Sequence, residues 1–117
     1  MLIKLYRLIK RTLFKETFSP RVRAYKRSSE WPLLRKKWLT THPTCAACGA
    51  TTKLEVHHKI PFEVDPSREL DETNLITLCR NTSWECHLHV GHKGDYKLYR
   101  IEVDKNAAQI LQSLSIQ

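Results

Sequence analysis

The chain has 117 residues, 41% of them hydrophobic and 27% charged, with four cysteines, six histidines and a formal net charge of +8. That length allows one domain with extensions and a limited core, and no stretch approaches the apolar run needed to span a membrane, so no membrane partner is expected. The charge is uneven: residues 1–42 hold 12 Lys/Arg against 2 acids (+10), and residues 43–117 hold 8 against 10 (−2). A basic arm on a nearly neutral domain points to nucleic acid as partner, against the plainer alternative of a solvated, solubilising surface.

In chain order, Leu2, Leu5, Ile9 and Leu13 recur at helical spacing, with Lys4, Arg7, Arg11 and Lys15 on another face. This predicts an amphipathic basic helix whose cations either follow a phosphate backbone or face water. The same cations interrupt any continuous apolar core of an export signal, so a reducing cytoplasm is the expected location, with an organelle transit peptide as the alternative. Phe18-Ser19-Pro20 ends the helix, and a basic linker containing Arg21, Arg23, Lys26 and Arg27 follows.

Ser28 or Ser29 is placed to cap a second helix over residues 30–41, with Trp31, Leu34 and Trp38 on one face as packing residues. Thr41-His42-Pro43 ends it, and Cys45 to Gly49 forms a tight turn. Leu54-Glu55-Val56-His57-His58 alternates as a strand, a loop runs from Pro61 to Asp71, and Leu75–Leu78 is a second short strand. A short helix is predicted from about Trp84 to Gly91, weak strand-like alternation over Tyr99–Val103, and a last helix over residues 105–114. There is no internal repeat or low-complexity segment.

Cys45-Ala46-Ala47-Cys48-Gly49 has the form of a zinc knuckle, in which two thiolates three positions apart grip one tetrahedral ion. Cys79 and Cys86 offer the second pair of a four-cysteine site, provided residues 81–84 loop out between them. Redox dithiols and buried thiols remain the alternatives, and a thioredoxin-like protein is disfavoured because no βαβ setting surrounds the Cys-x-x-Cys. Disulfides do not suit a reducing compartment. His57-His58 ends the first strand, where neighbours point to opposite faces, and His87, His89 and His92 cluster after Cys86. His42 and His89 read as idle surface residues.

Taken together, Cys45-x-x-Cys48, Val56-His57-His58-Lys59-Ile60-Pro61, Asn74-Leu75-Ile76-Thr77-Leu78-Cys79 and Cys86-His87 resemble the HNH nuclease family over roughly residues 28–95. The resemblance implies an α+β fold: a small ββα-metal core stapled by a four-cysteine zinc knuckle, with N-terminal helices and a short C-terminal extension. The expected organisation is a basic arm and linker at 1–27, a nuclease domain at 28–98 and an extension of unassigned role at 99–117. The segment Asn-Leu-Ile-Thr-Leu-Cys followed by Cys-His and Gly-His is similar to small phage and prophage members.

Carried over residue by residue, the resemblance makes His58 the general base and Asn74 the residue that holds the His58 loop or orients its ring. His57 and His87 become ligands of one catalytic divalent ion, with His92 a further candidate ranked lower because five residues is not the helical i,i+4 spacing. Cys45, Cys48, Cys79 and Cys86 become ligands of a structural Zn2+. The catalytic ion, Mg2+, Mn2+, Ni2+ or Zn2+, would stabilise charge on the scissile phosphate and the departing 3′ oxygen. Lys4, Arg7, Arg11, Lys15, Arg21 and Arg23 are the candidate DNA-backbone contacts, resting on charge alone. The implied function is DNA endonuclease, nicking or double-strand cutting, in phage DNA processing or packaging alongside other phage proteins. A non-catalytic zinc module binding nucleic acid or protein is the alternative, but it has no use for His57, His58, Asn74 and His87 together.

Overall fold

The computed structural model describes residues 26–115. The helix expected at the N-terminus, with Lys4, Arg7, Arg11 and Lys15, and the linker residues Arg21 and Arg23 lie outside them. The elements are α1 (Trp31–Thr41), β1 (Leu54–His58), β2 (Leu75–Cys79), a π-helical turn (His87–Gly91) and α2 (Val103–Ser115), with short 3-10 turns at Pro66–Arg68 and Glu72–Asn74.

α1 begins close to the expected place, but no side chain caps it. Its N-cap is Glu30, and the Ser28 hydroxyl instead accepts the Glu30 N–H at 3.1 Å, before the helix proper. Pro32 in the first turn lowers the need for a cap, since it has no N–H to satisfy. The spacing of Trp31, Leu34 and Trp38 puts all three half-buried on one face. Trp38 Nε1 donates to Thr77 Oγ1 at 3.1 Å, which settles how α1 docks on the sheet.

β1 and β2 pair antiparallel in unbroken register, Leu54 opposite Cys79 through His58 opposite Leu75. Directly opposed residues share a face, so His57 lies with Ile76 and His58 with Leu75. The Thr77 face receives α1, while the Ile76 and Leu78 face receives the π-helical turn and, behind it, α2. All five residues of β2 are buried, as expected of a strand covered on both sides.

The core joins Cys45, Ala47, Ile76, Leu78, Cys79 and Cys86 to Val103 and Ala107 of α2. Helix α2 therefore packs with the cysteine turn and the strands. Two expectations need correction. The helix expected over 84–91 is a single wide turn over His87–Gly91, because residues 82–84 form a turn and Glu85 adopts φ 40°. The alternation over Tyr99–Val103 forms no strand: the segment is irregular and turning until Val103 opens α2, and the β1–β2 sheet has two strands only.

Candidate active site and metal centres

The four cysteines converge from three parts of the fold. The Cys45–Gly49 turn is closed by the Gly49 N–H donating to Cys45 O at 2.9 Å, with Gly49 at φ 77°, where glycine is at ease. The Ala46 N–H donates to Thr77 O at 2.9 Å, which lays this turn along β2 and brings Cys45 and Cys48 beside Cys79. The 81–85 turn, closed by the Glu85 N–H on Asn81 O at 2.7 Å, supplies the looping-out that returns Cys86 to the group.

The four Sγ atoms lie within 4.8 Å of one another, and Cys48 Sγ and Cys79 Sγ are 3.6 Å apart. Tetrahedral zinc with bonds of about 2.3 Å requires sulfurs about 3.8 Å apart, so the separation suits the ion. All four thiols are free. Burial pushes Cys48 up to about 11 and raises Cys86 further. Burial also raises Cys79, but backbone N–H groups of Cys86 and Asn81 and the neighbouring thiols outweigh it and bring Cys79 down to about 7. Four thiols this close do not all ionise by themselves, and a bound divalent cation is what deprotonates such a set. The cluster could hold a zinc ion.

A second cluster takes the first residue of the π-helical turn and the residue that follows it, together with His57 of β1. The ligand-capable nitrogens of His57, His87 and His92 also lie within 4.8 Å of one another. The π turn takes more residues per revolution than an α-helix, so the residue after it comes back toward its first, and the His92 ring lies 4.9 Å from that of His87, tilted by 57°. The two Nε2 atoms stand 3.3 Å apart, close to the separation two nitrogens adopt on one tetrahedral ion with bonds of about 2.05 Å. His92 Nδ1 donates to Leu98 O at 2.7 Å, since a carbonyl can only accept, and this leaves the His92 Nε2 lone pair aimed at the cluster.

His57 is 2% exposed and its Nε2 has no hydrogen-bond partner. A buried imidazole nitrogen with nothing to bond, facing two other imidazoles, fits a metal ligand. Burial, then the neighbouring imidazoles, brings His57 down to about 2, and burial with His92 brings His87 down to about 4. Both rings are neutral at neutral pH, as coordination requires. Close packing keeps His57 in place: a Cβ built on Gly91 would come within 3.1 Å of His57 Cε1 and of Leu78 Cδ1.

His58 stands apart from this trio, on the opposite face of β1. Its Nε2 donates to Glu69 O at 2.9 Å, and its ring lies against Trp31 with centroids 4.4 Å apart. The donated proton fixes the tautomer and leaves Nδ1 as the acceptor. Asn74 is 1% exposed, at the entry to β2. Its Oδ1 accepts the Ile60 N–H, and its Nδ2 donates to Ile60 O and Arg68 O, so it ties the chain after His58 to the loop before Glu69.

Of the remaining histidines, His89 is exposed beside Glu85, and exposed His42 stacks on Trp38 at 3.6 Å. Sequence reasoning passes over three participants. Leu98 and Glu69 act here through peptide carbonyls, which leave no mark in a sequence. Tyr96, whose ring is 5.0 Å from that of His92, flanks the trio in an irregular segment without periodicity.

Residues 45–93 match the family model described as HNH endonuclease. No curated protein and no solved structure matches the chain. Both clusters, together with His58 and Asn74, fall within the matched span. That family uses metal ions and acts on nucleic acid, and two sites with the right donors for metals lie side by side in this segment. Among the described residues no helix is long and apolar enough to cross a membrane. Over the span that joins the cysteine turn to the histidine turn, the chain is thus similar to HNH endonucleases.

Proposed function

We propose that the protein is a metal-dependent endonuclease that hydrolyses DNA phosphodiester bonds, with His58 as general base and Asn74 as the residue that holds its loop. The observation that carries this reading is the convergence of His57, His87 and His92 around the unpartnered, buried His57 Nε2. These three residues would hold the catalytic ion, and Cys45, Cys48, Cys79 and Cys86 a structural zinc. When bound, the divalent ion supplies Lewis-acid stabilisation of charge on the scissile phosphate and the departing 3′ oxygen.

The rest of the chemistry belongs to the chain. Burial, assisted by Arg27 and opposed by the Glu69 carbonyl, holds His58 below the usual imidazole range. It therefore stands neutral, with Nδ1 able to take a proton from an attacking water as the water oxygen bonds to phosphorus. The P–O3′ bond breaks, the 3′ oxygen takes a proton from solvent, and the ends are a 5′-phosphate and a 3′-hydroxyl. Arg and Lys of the basic arm, Lys4, Arg7, Arg11, Lys15, Arg21 and Arg23, supply backbone affinity rather than sequence choice. We read the activity as phage or prophage DNA processing within the cytoplasm of a bacterial host, on the softer resemblance to small phage members alone.

The test is cleavage of supercoiled plasmid by purified protein, with Mg2+, Mn2+, Ni2+ or EDTA and with His58→Ala in parallel. Metal-dependent nicking or linearisation by the wild type, abolished in the folded variant, is the expected result. A zinc-loaded protein that binds DNA but cuts with no ion would instead favour a non-catalytic binding module.

A further inference from the structure

Glu69 is 4% exposed, and a carboxylate at that depth is costly unless charge and hydrogen bonds meet it. Both needs are met by the segment that leads out of the basic arm. Its Oε1 accepts the Ser28 N–H at 2.7 Å, and its Oε2 pairs with Arg27 Nε. Arg27 also lies over the rings of Phe62, 4.6 Å from the centroid, and Trp31, 5.6 Å from the centroid.

The same residue, Glu69, meets His58 through its backbone, accepting the Nε2 proton at 2.9 Å. His58 is therefore flanked by the Trp31 ring and the Glu69 peptide, and Arg27 meets both of those residues through their side chains. Asn74 anchors the preceding peptide through Arg68 O, which leaves the Glu69 carbonyl itself to be oriented by the residue that bears it. We propose that the Glu69 side chain, locked to Arg27 and Ser28, is a positioning group for His58: it fixes the Glu69 carbonyl and so holds the ring in the tautomer with Nδ1 open. The inference rests on His58 being the base. It also makes the chain leaving the basic arm part of the machinery that orients that base.

The experiment uses the full-length, zinc-loaded protein and three variants, Glu69→Ala, Glu69→Gln and Arg27→Gln. The tautomer of His58 is read by long-range proton–nitrogen NMR, beside single-turnover plasmid cleavage, plasmid binding and zinc content. The wild type should show the Nε2–H form. Glu69→Ala should give a mixture of tautomers and a single-turnover rate constant about 10- to 100-fold lower, with binding and zinc content unchanged. Glu69→Gln, which keeps an acceptor for Ser28 but not the charge for Arg27, should fall between, close to Arg27→Gln.

A folded Glu69→Ala protein with the wild-type tautomer and rate overturns the proposal. If that variant does not fold, Arg27→Gln decides, because the Arg27 side chain is half exposed and its change leaves the buried acid's hydrogen bond from Ser28 in place. A wild-type tautomer and rate in Arg27→Gln would then overturn it. Should the wild type cut no plasmid, a tautomer change in these variants still upholds the positioning of His58, and only the nuclease reading falls.

Discussion

Asn74 and Ile60 hold each other through both ends of one amide: Asn74 Oδ1 accepts the Ile60 N–H at 2.9 Å, and Asn74 Nδ2 donates to Ile60 O at 3.0 Å. The Lys59 N–H adds a third tie, to Asn74 O at 2.8 Å. The loop between the strands is thus pinned at the two residues after His58. Without this pin the chain would leave His58, the last residue of β1, as a free loop.

Asn74→Ala removes the side-chain half of that pin and leaves the Ile60 amide and the Arg68 carbonyl without it. Stranding buried polar groups costs about 1–3 kcal/mol each, so the variant should lose about 2–4 kcal/mol in chemical denaturation. Cleavage should fall with it even under conditions where the variant is fully folded. Wild-type stability and wild-type cleavage together would contradict the clamp.

His92→Ala deletes the member of the trio whose second nitrogen is fastened by Leu98 O. Affinity of the histidine site for Co2+ or Ni2+, titrated calorimetrically on zinc-loaded protein, should fall by at least about 10-fold, the scale seen when even supporting contacts to ligands are lost. His89→Ala, three residues away and exposed, should leave it unchanged. Equal affinities in the wild type and His92→Ala would remove His92 from the ligand set.

Cys45→Ala should lose zinc and unfold the domain. Cys45 is 1% exposed and sits in the same cluster as Leu78, Val103 and Ala107, so the cysteine cluster and the apolar core are one body. Structural zinc contributes on the order of 10 kcal/mol of folding free energy in small domains, more than a core of this size replaces. Elemental analysis and circular dichroism on the purified variant decide it. A folded, zinc-replete Cys45→Ala protein would dispose of the knuckle.

The strands, the first helix and the cysteine turn are legible in the sequence because each rests on a short-range pattern. Trp31, Leu34 and Trp38 repeat at helical spacing, and Leu54 to His58 alternates where one face meets α1 and the other the π turn. The helix end at His42 and the loop-out before Cys86 are equally local. The lower rank of His92 follows from a spacing rule that assumes an α-helix, and nothing in His87–Gly91 announces a π turn. Tyr99–Val103 misleads for the opposite reason: alternation over five residues makes a strand only where another strand offers its edge. The tautomers of His58 and His92 depend on the carbonyls of Glu69 and Leu98, which every residue type possesses equally.

The two clusters share a short span of chain, since Cys86 and His87 are consecutive and Cys79 ends the strand that pairs with the one carrying His57. With an ion in each cluster, a chelator would draw on two ions at once, and inhibition by EDTA would measure the weaker of two attachments. If the thiolate site holds its ion the more tightly, brief chelation followed by Mg2+ or Mn2+ restores cutting. Prolonged chelation should dissolve the scaffold that brings His57, His87 and His92 together, and no amount of the catalytic ion should then bring activity back until zinc is returned first.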